Sequence, residues 1–275
     1  MFSSASRVAA APVQLVALDL DGTLLRDDKR LSRSAVRAIS RVRSLGVRVV
    51  LASARPPRSV RRIYEYLELD TLQINYNGAL IHDPSGGEPL YHRPLAADLA
   101  CQIIAFVRRL EPALVIGVES LDRAERRRAD QWVSAAPSWP VPEPRSATTG
   151  DLLQGPVTKL TLLGAGRALS GIRGRVRQRF AGRIRVAAGT PNVMHIVHPE
   201  VDKSTALQRV AQCYGVGRRS VMAIGDAPND VGMLRWAGLG VAMENAWDAT
   251  RSAADTIVPS NEDDGVAYAL DHFVG

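Results

Sequence analysis

Between Val13 and Leu20 the chain reads Val-Gln-Leu-Val-Ala-Leu-Asp-Leu, with almost no polar residue. The run does not alternate, so it does not suit a strand with one wet face. It is the pattern of a strand buried on both sides, and such strands belong to parallel sheets covered by helices on each face. It is also the longest apolar run in the chain, interrupted by Gln14 and Asp19. That falls far short of the ~20 residues that span a bilayer.

The segments that follow repeat the theme. Ser32 opens a helix with Val36, Ile39, Val42 and Leu45 at helical spacing, and Gly46 stops it. Val47–Ala52 is a second strand. Pro57 opens a helix with Val60, Ile63, Tyr64 and Leu67 on one face, and Leu72–Asn75 is a third strand. Near the other end, Ser220–Ile224 and Leu239–Ala242 are strands, each followed by helical sequence. Strand–helix units joined by short loops predict an α/β fold with a doubly wound, Rossmann-like parallel sheet.

From residue 84 to residue 190 the texture changes. Pro84-Ser-Gly-Gly87 reads as a turn. A helix near Leu95–Leu110 follows, with strands at Ala113–Val118 and Val157–Leu163 and a helix at Leu169–Phe180. Strands at Ile184–Ala187 and Val193–Val197 close the series. We therefore expect an inserted α+β unit over residues 84–190. The core would be built from 13–83 and 191–275, and 1–12 would be a disordered lead-in. Residues 135–150 carry Pro137, Pro140, Pro142, Pro144 and Trp139, too much proline for a central strand.

A chain of 275 residues buries a full core without staples. Cys101 and Cys213 share no metal-binding spacing and read as reduced thiols, which points to the cytoplasm. The N-terminal stretch lacks the apolar segment of a signal peptide. The net charge is +7, yet only Lys29, Lys159 and Lys203 among 35 basic residues are lysine. The arginines are scattered, and aromatic residues make up 5%, so stacking platforms for nucleic acid are scarce. The densest cluster, Arg123 to Arg128, contains Glu125 and reads as a solvated helix face. Neither nucleic acid nor membrane is expected as a partner. A positive field that draws in anionic small molecules fits better.

Two acidic constellations carry the chemistry. Asp19-Leu-Asp21-Gly22-Thr23 sits where the first strand ends, which in an open parallel sheet is where ligands bind. In an extended segment residues i and i+2 point the same way, so Asp19 and Asp21 are expected to reach one site. Gly22 lets the backbone turn close to a ligand. Gly225-Asp226-Ala-Pro-Asn229-Asp230 follows the apolar strand Val221–Ile224. Asp226 would lie at the strand's end and Asp230 at the start of the next helix. Oxygen ligands without histidine or cysteine suit a hard cation such as Mg2+. Capping a helix would need one such residue, not this series. Ser53 ends the second strand and offers a hydroxyl to a phosphate or to a helix N-terminus. Lys203 begins a helix, and a lysine in so arginine-rich a chain hints at a compact point charge.

Together these residues resemble the haloacid dehalogenase (HAD) superfamily of phosphohydrolases, in its Cof-type branch with a large inserted cap. The resemblance rests on Asp19-Leu-Asp-Gly-Thr-Leu-Leu, Ser53-Ala-Arg-Pro, Asn77-Gly-Ala-Leu-Ile, the Lys203 helix and Gly225-Asp-Ala-Pro-Asn-Asp. Gly240-Val-Ala-Met-Glu-Asn-Ala246 and Asn261-Glu-Asp-Asp-Gly-Val266 extend it, so it covers most of the chain. Ser53-Ala54 stands where Thr-Gly is common, which keeps the hydroxyl.

The resemblance implies roles. Asp19 is the nucleophile that forms an aspartyl-phosphate, and Asp21 the general acid and base. Lys203 is the catalytic cation. Asp19 and Asp226 hold Mg2+ through carboxylates and Asp21 through its backbone carbonyl, with Asp230 supporting from behind through a water. Ser53, Ala54, Gly22 and Asn229 surround the phosphate. Asn77 and Arg55 lie at the junction with the cap, where Asn77 contacts substrate or fixes a turn. The expected activity is a Mg2+-dependent phosphatase on small metabolites such as sugar phosphates or pyridoxal phosphate. The cap would choose the substrate, in a monomer or homodimer. A phosphotransferase or mutase, or a silent sugar-phosphate sensor, are the alternatives. The intact Asp21 argues against a pure binder.

Overall fold

In the computed structural model, residues 11–86, 88–121, 155–187 and 192–274 are described. The arginine cluster at 123–128 and the proline-rich stretch 135–150 lie outside the described residues, as does the lead-in apart from its last two positions. The first apolar run forms β1 (Leu15–Leu18), every residue of which is buried. The chain continues through α1 (Arg33–Ser44), β2 (Arg48–Leu51), α2 (Pro57–Tyr66), β3 (Gln73–Asn75) and β4 (Leu80–His82). Ser32 caps α1, its Oγ accepting from the Ala35 amide at 3.0 Å. Gly46 follows the helix at φ +82°, a left-handed turn that ends it.

Next come β5 (Tyr91–His92), α3 (Ala97–Leu110), β6 (Val115–Glu119), β7 (Lys159–Leu163), α4 (Gly166–Arg179), β8 (Arg185–Ala187) and β9 (Val193–Val197). The chain then runs through α5 (Lys203–Cys213), β10 (Val221–Gly225), α6 (Val231–Trp236), β11 (Leu239–Met243), α7 (Asp248–Arg251), β12 (Thr256–Val258) and α8 (Gly265–Phe273). Among the described residues no helix is long and apolar enough to cross a membrane.

The chain divides into two compact units, one of residues 1–90 with 202–275, the other of residues 91–201. In the first, five strands run parallel in the order β12-β11-β10-β1-β2. Leu18 stands level with Ile224 on one side and Leu51 on the other. The residues after these three strands therefore leave the sheet at one edge. Beyond β2, a bridge from Ala52 to Ile74 brings in β3, which turns back against β4.

Among the described residues, the second unit holds a four-stranded antiparallel sheet, β6-β7-β9-β8. Ile103 and Val107 of α3 and Ile172 of α4 share its core with Leu160, Leu162 and Ile196. The division falls at 90/91 and 201/202, not at the expected 83/84 and 190/191. The reason is pairing. Ile196 lies between Leu160 and Val186, so β9, the strand that closes the inserted series, pairs within the inserted sheet and carries the boundary beyond residue 197.

One turn in the first unit bears directly on the site. Between β3 and β4, Tyr76, Asn77 and Gly78 all take positive φ, at 52°, 60° and 98°. Gly78 packs so close to the Asp202 carbonyl that a Cβ there would collide with it. Asp202 caps α5, its carboxylate accepting from the Ser204 amide at 2.8 Å. We predict that Gly78→Ala costs about 1–3 kcal/mol of stability, from backbone strain and displacement of the α5 start. A denaturant midpoint equal to that of the unaltered protein would show that the turn gives way freely.

Candidate active site

Parallel strands end together, and that geometry gathers the acids. Asp19 follows β1, its amide donating to the Ile224 carbonyl of β10 at 3.1 Å. Asp226 follows β10, and Asp230 begins α6. All three are buried, and one carboxylate oxygen from each lies within 4.8 Å of the others. Lys203, the first residue of α5, reaches this cluster with 1% of its surface exposed. Its Nζ donates to Asp19 Oδ1 at 2.5 Å and to Asp230 Oδ1 at 2.7 Å.

Asp230 does not cap its helix. Its Oδ2 accepts from the Asp226 and Ala227 amides at 3.2 and 3.0 Å and so ties the loop together. Thr23 Oγ1 donates to Asp226 Oδ1 at 2.7 Å. Gly22, at φ +86°, lies against the same carboxylate, and a Cβ there would stand 2.5 Å from Asp226 Oδ2. Only glycine fits that approach.

Burial pushes the Asp19 carboxyl well above its ordinary pKa, and the charges of Asp230 and Asp226 add to that, against the pull of Lys203. Asp226 is pushed up to about 6, by burial first and then by Asp230, despite the hydrogen bond from Thr23. Lys203 goes the other way. Burial favours the neutral amine, but Asp19 and Asp230 outweigh it and raise its pKa. One ammonium faces three carboxylates, so full ionisation leaves an excess of negative charge. The donors are all oxygen, and a small hard divalent cation fits that charge and chemistry.

Asp21 sits on the turn that follows Asp19. The chain does not stay extended after Asp19; it turns at once, with the Leu24 amide donating to the Asp19 carbonyl and the Leu25 amide to that of Leu20. The Asp21 carboxylate is not one of the three clustered acids, though its charge adds to the upward push on Asp226. Arg55 grips it with both Nε and Nη2, at 2.7 and 2.6 Å, and Lys29 Nζ reaches Oδ1 at 2.9 Å. Burial raises the Asp21 carboxyl, but these cations prevail and hold it below the usual carboxylate range.

The remaining predicted residues sit nearby. Ser53, buried beyond β2, accepts from the Arg55 amide at 3.1 Å, and Ala54 lies between them. Pro56, not Ser53, occupies the N-cap of α2. Asn77 donates its amide to the Ser53 carbonyl at 3.0 Å, and its Oδ1 accepts from Asn229 Nδ2 at 2.9 Å. Asn77 thus fixes the turn and joins the motif after β2 to the loop after β10. Sequence reasoning assigned no role to Lys29 or Thr23. The scarcity of lysine that singled out Lys203 applies equally to Lys29.

A sequence profile of haloacid dehalogenase-like hydrolases matches residues 16–270. Over 265 residues the chain is 33% identical to the 5-amino-6-(5-phospho-D-ribitylamino)uracil phosphatase YitU of Bacillus subtilis, covering 94% of this chain and 97% of that protein. It is 27% identical to the pyridoxal phosphate phosphatase YbhA of Escherichia coli, over 94% of this chain and 97% of the other. The crystal structure of a haloacid dehalogenase-like hydrolase from Bacteroides thetaiotaomicron superposes with a TM-score of 0.78 at 27% identity, covering 94% and 98% of the two chains.

The Asp226 shift carries a pH signature. A carboxyl whose folded pKa is about 6 stabilises the fold while protonated, and that contribution fades as pH rises from about 4 through 6. His92 and His195, pushed down to about 4 and 3 mainly by burial, act in the opposite sense. Asp226→Asn removes the first effect and keeps the second. In chelator-treated protein we expect unaltered chain to lose about 1–3 kcal/mol relative to Asp226→Asn between pH 4 and 7. A stability difference that stays flat with pH in denaturant titrations would contradict the crowding of these acids.

Proposed function

The chain belongs to the haloacid dehalogenase-like hydrolases, and on that premise we propose that it is a Mg2+-dependent phosphatase of small phosphorylated metabolites that works through an aspartyl-phosphate on Asp19. The observation that carries this reading is the Lys203 ammonium between Asp19 and Asp230, with Asp226 beside them. Asp19 and Asp226 would hold Mg2+ through their carboxylates and Asp21 through its backbone carbonyl, with Asp230 one layer behind. When bound, the ion supplies positive charge to the oxygens of the transferring phosphoryl group.

The protein's own groups do the rest. Lys203 keeps Asp19 aimed and offsets charge on the incoming phosphate. An Asp19 oxygen attacks phosphorus as the bond from phosphorus to the leaving oxygen breaks. Asp21 gives that oxygen its proton. It then takes a proton from the water that hydrolyses the aspartyl-phosphate, which restores Asp19 and frees inorganic phosphate. The grip of Arg55 and Lys29 favours the Asp21 anion, the form needed as base. An arriving phosphate dianion works the other way and favours the protonated acid. Ser53 and the amides beyond Asp19 would bind phosphate oxygens, with Ala54, Gly22 and Asn229 around them.

The inserted unit, residues 91–201, would choose among substrates. Relatives named for a phosphoribitylamino-uracil and for pyridoxal phosphate point to compact polar phosphomonoesters. Free, exposed Cys101 and Cys213 suit the reducing cytoplasm, where such metabolites circulate.

Incubated with a panel of phosphomonoesters and Mg2+, the protein should release inorganic phosphate and the free alcohol in equal amounts, and EDTA should stop it. Asp19→Asn keeps the shape but removes the attacking anion, so turnover should fall by roughly three orders of magnitude or more. Full activity in EDTA would remove the metal from this account, and near-normal turnover of Asp19→Asn would remove the aspartyl-phosphate.

Lys203→Arg tests the cation separately. A planar guanidinium does not fit where a compact ammonium meets two carboxylates with almost no exposure. We expect folded protein by circular dichroism with most of its turnover lost, and a larger loss for Lys203→Ala. Turnover in Lys203→Arg equal to that of the unaltered protein would relieve Lys203 of its role.

A further inference from the structure

The motif beginning at Asn261 and the asparagine at 245 have no part in the chemistry above, yet both reach back to the loop that bears Asp21. That loop, residues 21–31, is a small tongue closed by bridges from Asp21 to Leu25 and from Leu25 to Leu31. It carries Asp21 at one end and Lys29 near the other, and the two meet at 2.9 Å. Side chains from the C-terminal segment pin it at several points. Asn245 Nδ2 donates to the Gly22 carbonyl at 2.8 Å, one residue from Asp21. Asn261, buried to 7% exposure, spends its Nδ2 protons on the Leu25 carbonyl at 3.0 Å and Asp27 Oδ1 at 3.2 Å. Glu262 Oε1 accepts from the Asp27 amide at 2.7 Å. The Asn261 amide in turn donates to Asn245 Oδ1 at 3.0 Å, which fixes how the Asn245 side chain faces Gly22.

We propose that Asn245 and Asn261 are positioning residues for Asp21: they lock the 21–31 tongue so that the Asp21 carboxyl meets the leaving oxygen. The inference rests on the reading of Asp21 as general acid. Neither asparagine is among the groups assigned to the phosphate above. Each holds a backbone carbonyl that would otherwise let the tongue, with Lys29 and Asp21 on it, shift. Displacement of a catalytic group by about an ångström costs up to ~100-fold in rate.

The consequence is a leaving-group signature. As the bond to phosphorus breaks, an alkyl alkoxide needs the Asp21 proton, whereas p-nitrophenolate leaves as the anion. The ratio of kcat/KM for an alkyl phosphate to that for p-nitrophenyl phosphate therefore reports on proton delivery alone. Asp21→Asn sets the scale and should lower the ratio about 100-fold or more. Asn245→Ala and Asn261→Ala should each lower it about tenfold, with kcat/KM for p-nitrophenyl phosphate within about twofold of the unaltered protein. A merely structural role would lower both substrates together and leave the ratio alone. Asn245 is exposed, so Asn245→Ala retains the test should Asn261→Ala fold poorly. If Asp21→Asn lowers the ratio and Asn245→Ala does not, the positioning role is wrong while the acid stands. If Asp21→Asn leaves the ratio unchanged, the acid assignment falls and the positioning role falls with it.

Discussion

A lysine ammonium with 1% exposure would be prohibitive without partners, and the first unit is arranged to supply them. Asp19 comes from the end of β1, Asp230 from the start of α6, and Lys203 from the first turn of α5. None of the three charges is tolerable alone in that setting. The sheet register that levels Leu18 with Ile224, the Asp202 cap on α5 and the glycine turn at Gly78 all serve to bring them within hydrogen-bond reach. The same crowding pushes Asp19 and Asp226 toward their protonated forms. A site held together by one cation is thus left short of positive charge, and a hard divalent cation has the charge and the oxygen preference to make up the shortage.

Much of this was legible in the chain. The unalternating run at 13–20 is possible only in a sheet covered on both faces, and every residue of β1 is buried. The capping serine at 32, the stop at Gly46 and the proline at the head of α2 are local chemistry, and each falls where the sequence puts it. What the sequence left open depends on partners far along the chain. Nothing in the sequence marks Arg55 as the partner of Asp21, 34 residues away, yet it holds that carboxylate with two hydrogen bonds. Val193–Val197 reads with the inserted series yet falls outside its expected bound at residue 190, and its pairing with β7 and β8 sets that bound further along the chain.

The scarce lysines form a pattern that was only half read. Each ends on carboxylate: Lys29 on Asp21, Lys203 on Asp19 and Asp230, and Lys159 on Glu119 at 3.0 Å. Lys159 and Glu119 face each other across β6 and β7, each side chain 3% exposed. Arginine, the chain's default cation, serves the surface and the forked contacts, as Arg55 does on Asp21. Lys159 and Lys203 are enclosed with their carboxylates, whereas Lys29 meets Asp21 at an exposed position. The scarcity of lysine identified Lys203 from sequence and would have led to Lys29 as well.

The first unit is also discontinuous, and that has a bearing on how such a molecule is born. β1 lies between β2, which follows it closely, and β10, which lies beyond the whole inserted unit. While the chain is leaving the ribosome, β1 has one neighbour and an open apolar edge, a surface that pairs readily with other nascent chains. Asp19 at that stage has neither Lys203 nor Asp226 beside it. Synthesis must pass residue 230 before Asp19, Lys203, Asp226 and Asp230 coexist, so the buried charge cluster can be assembled only late.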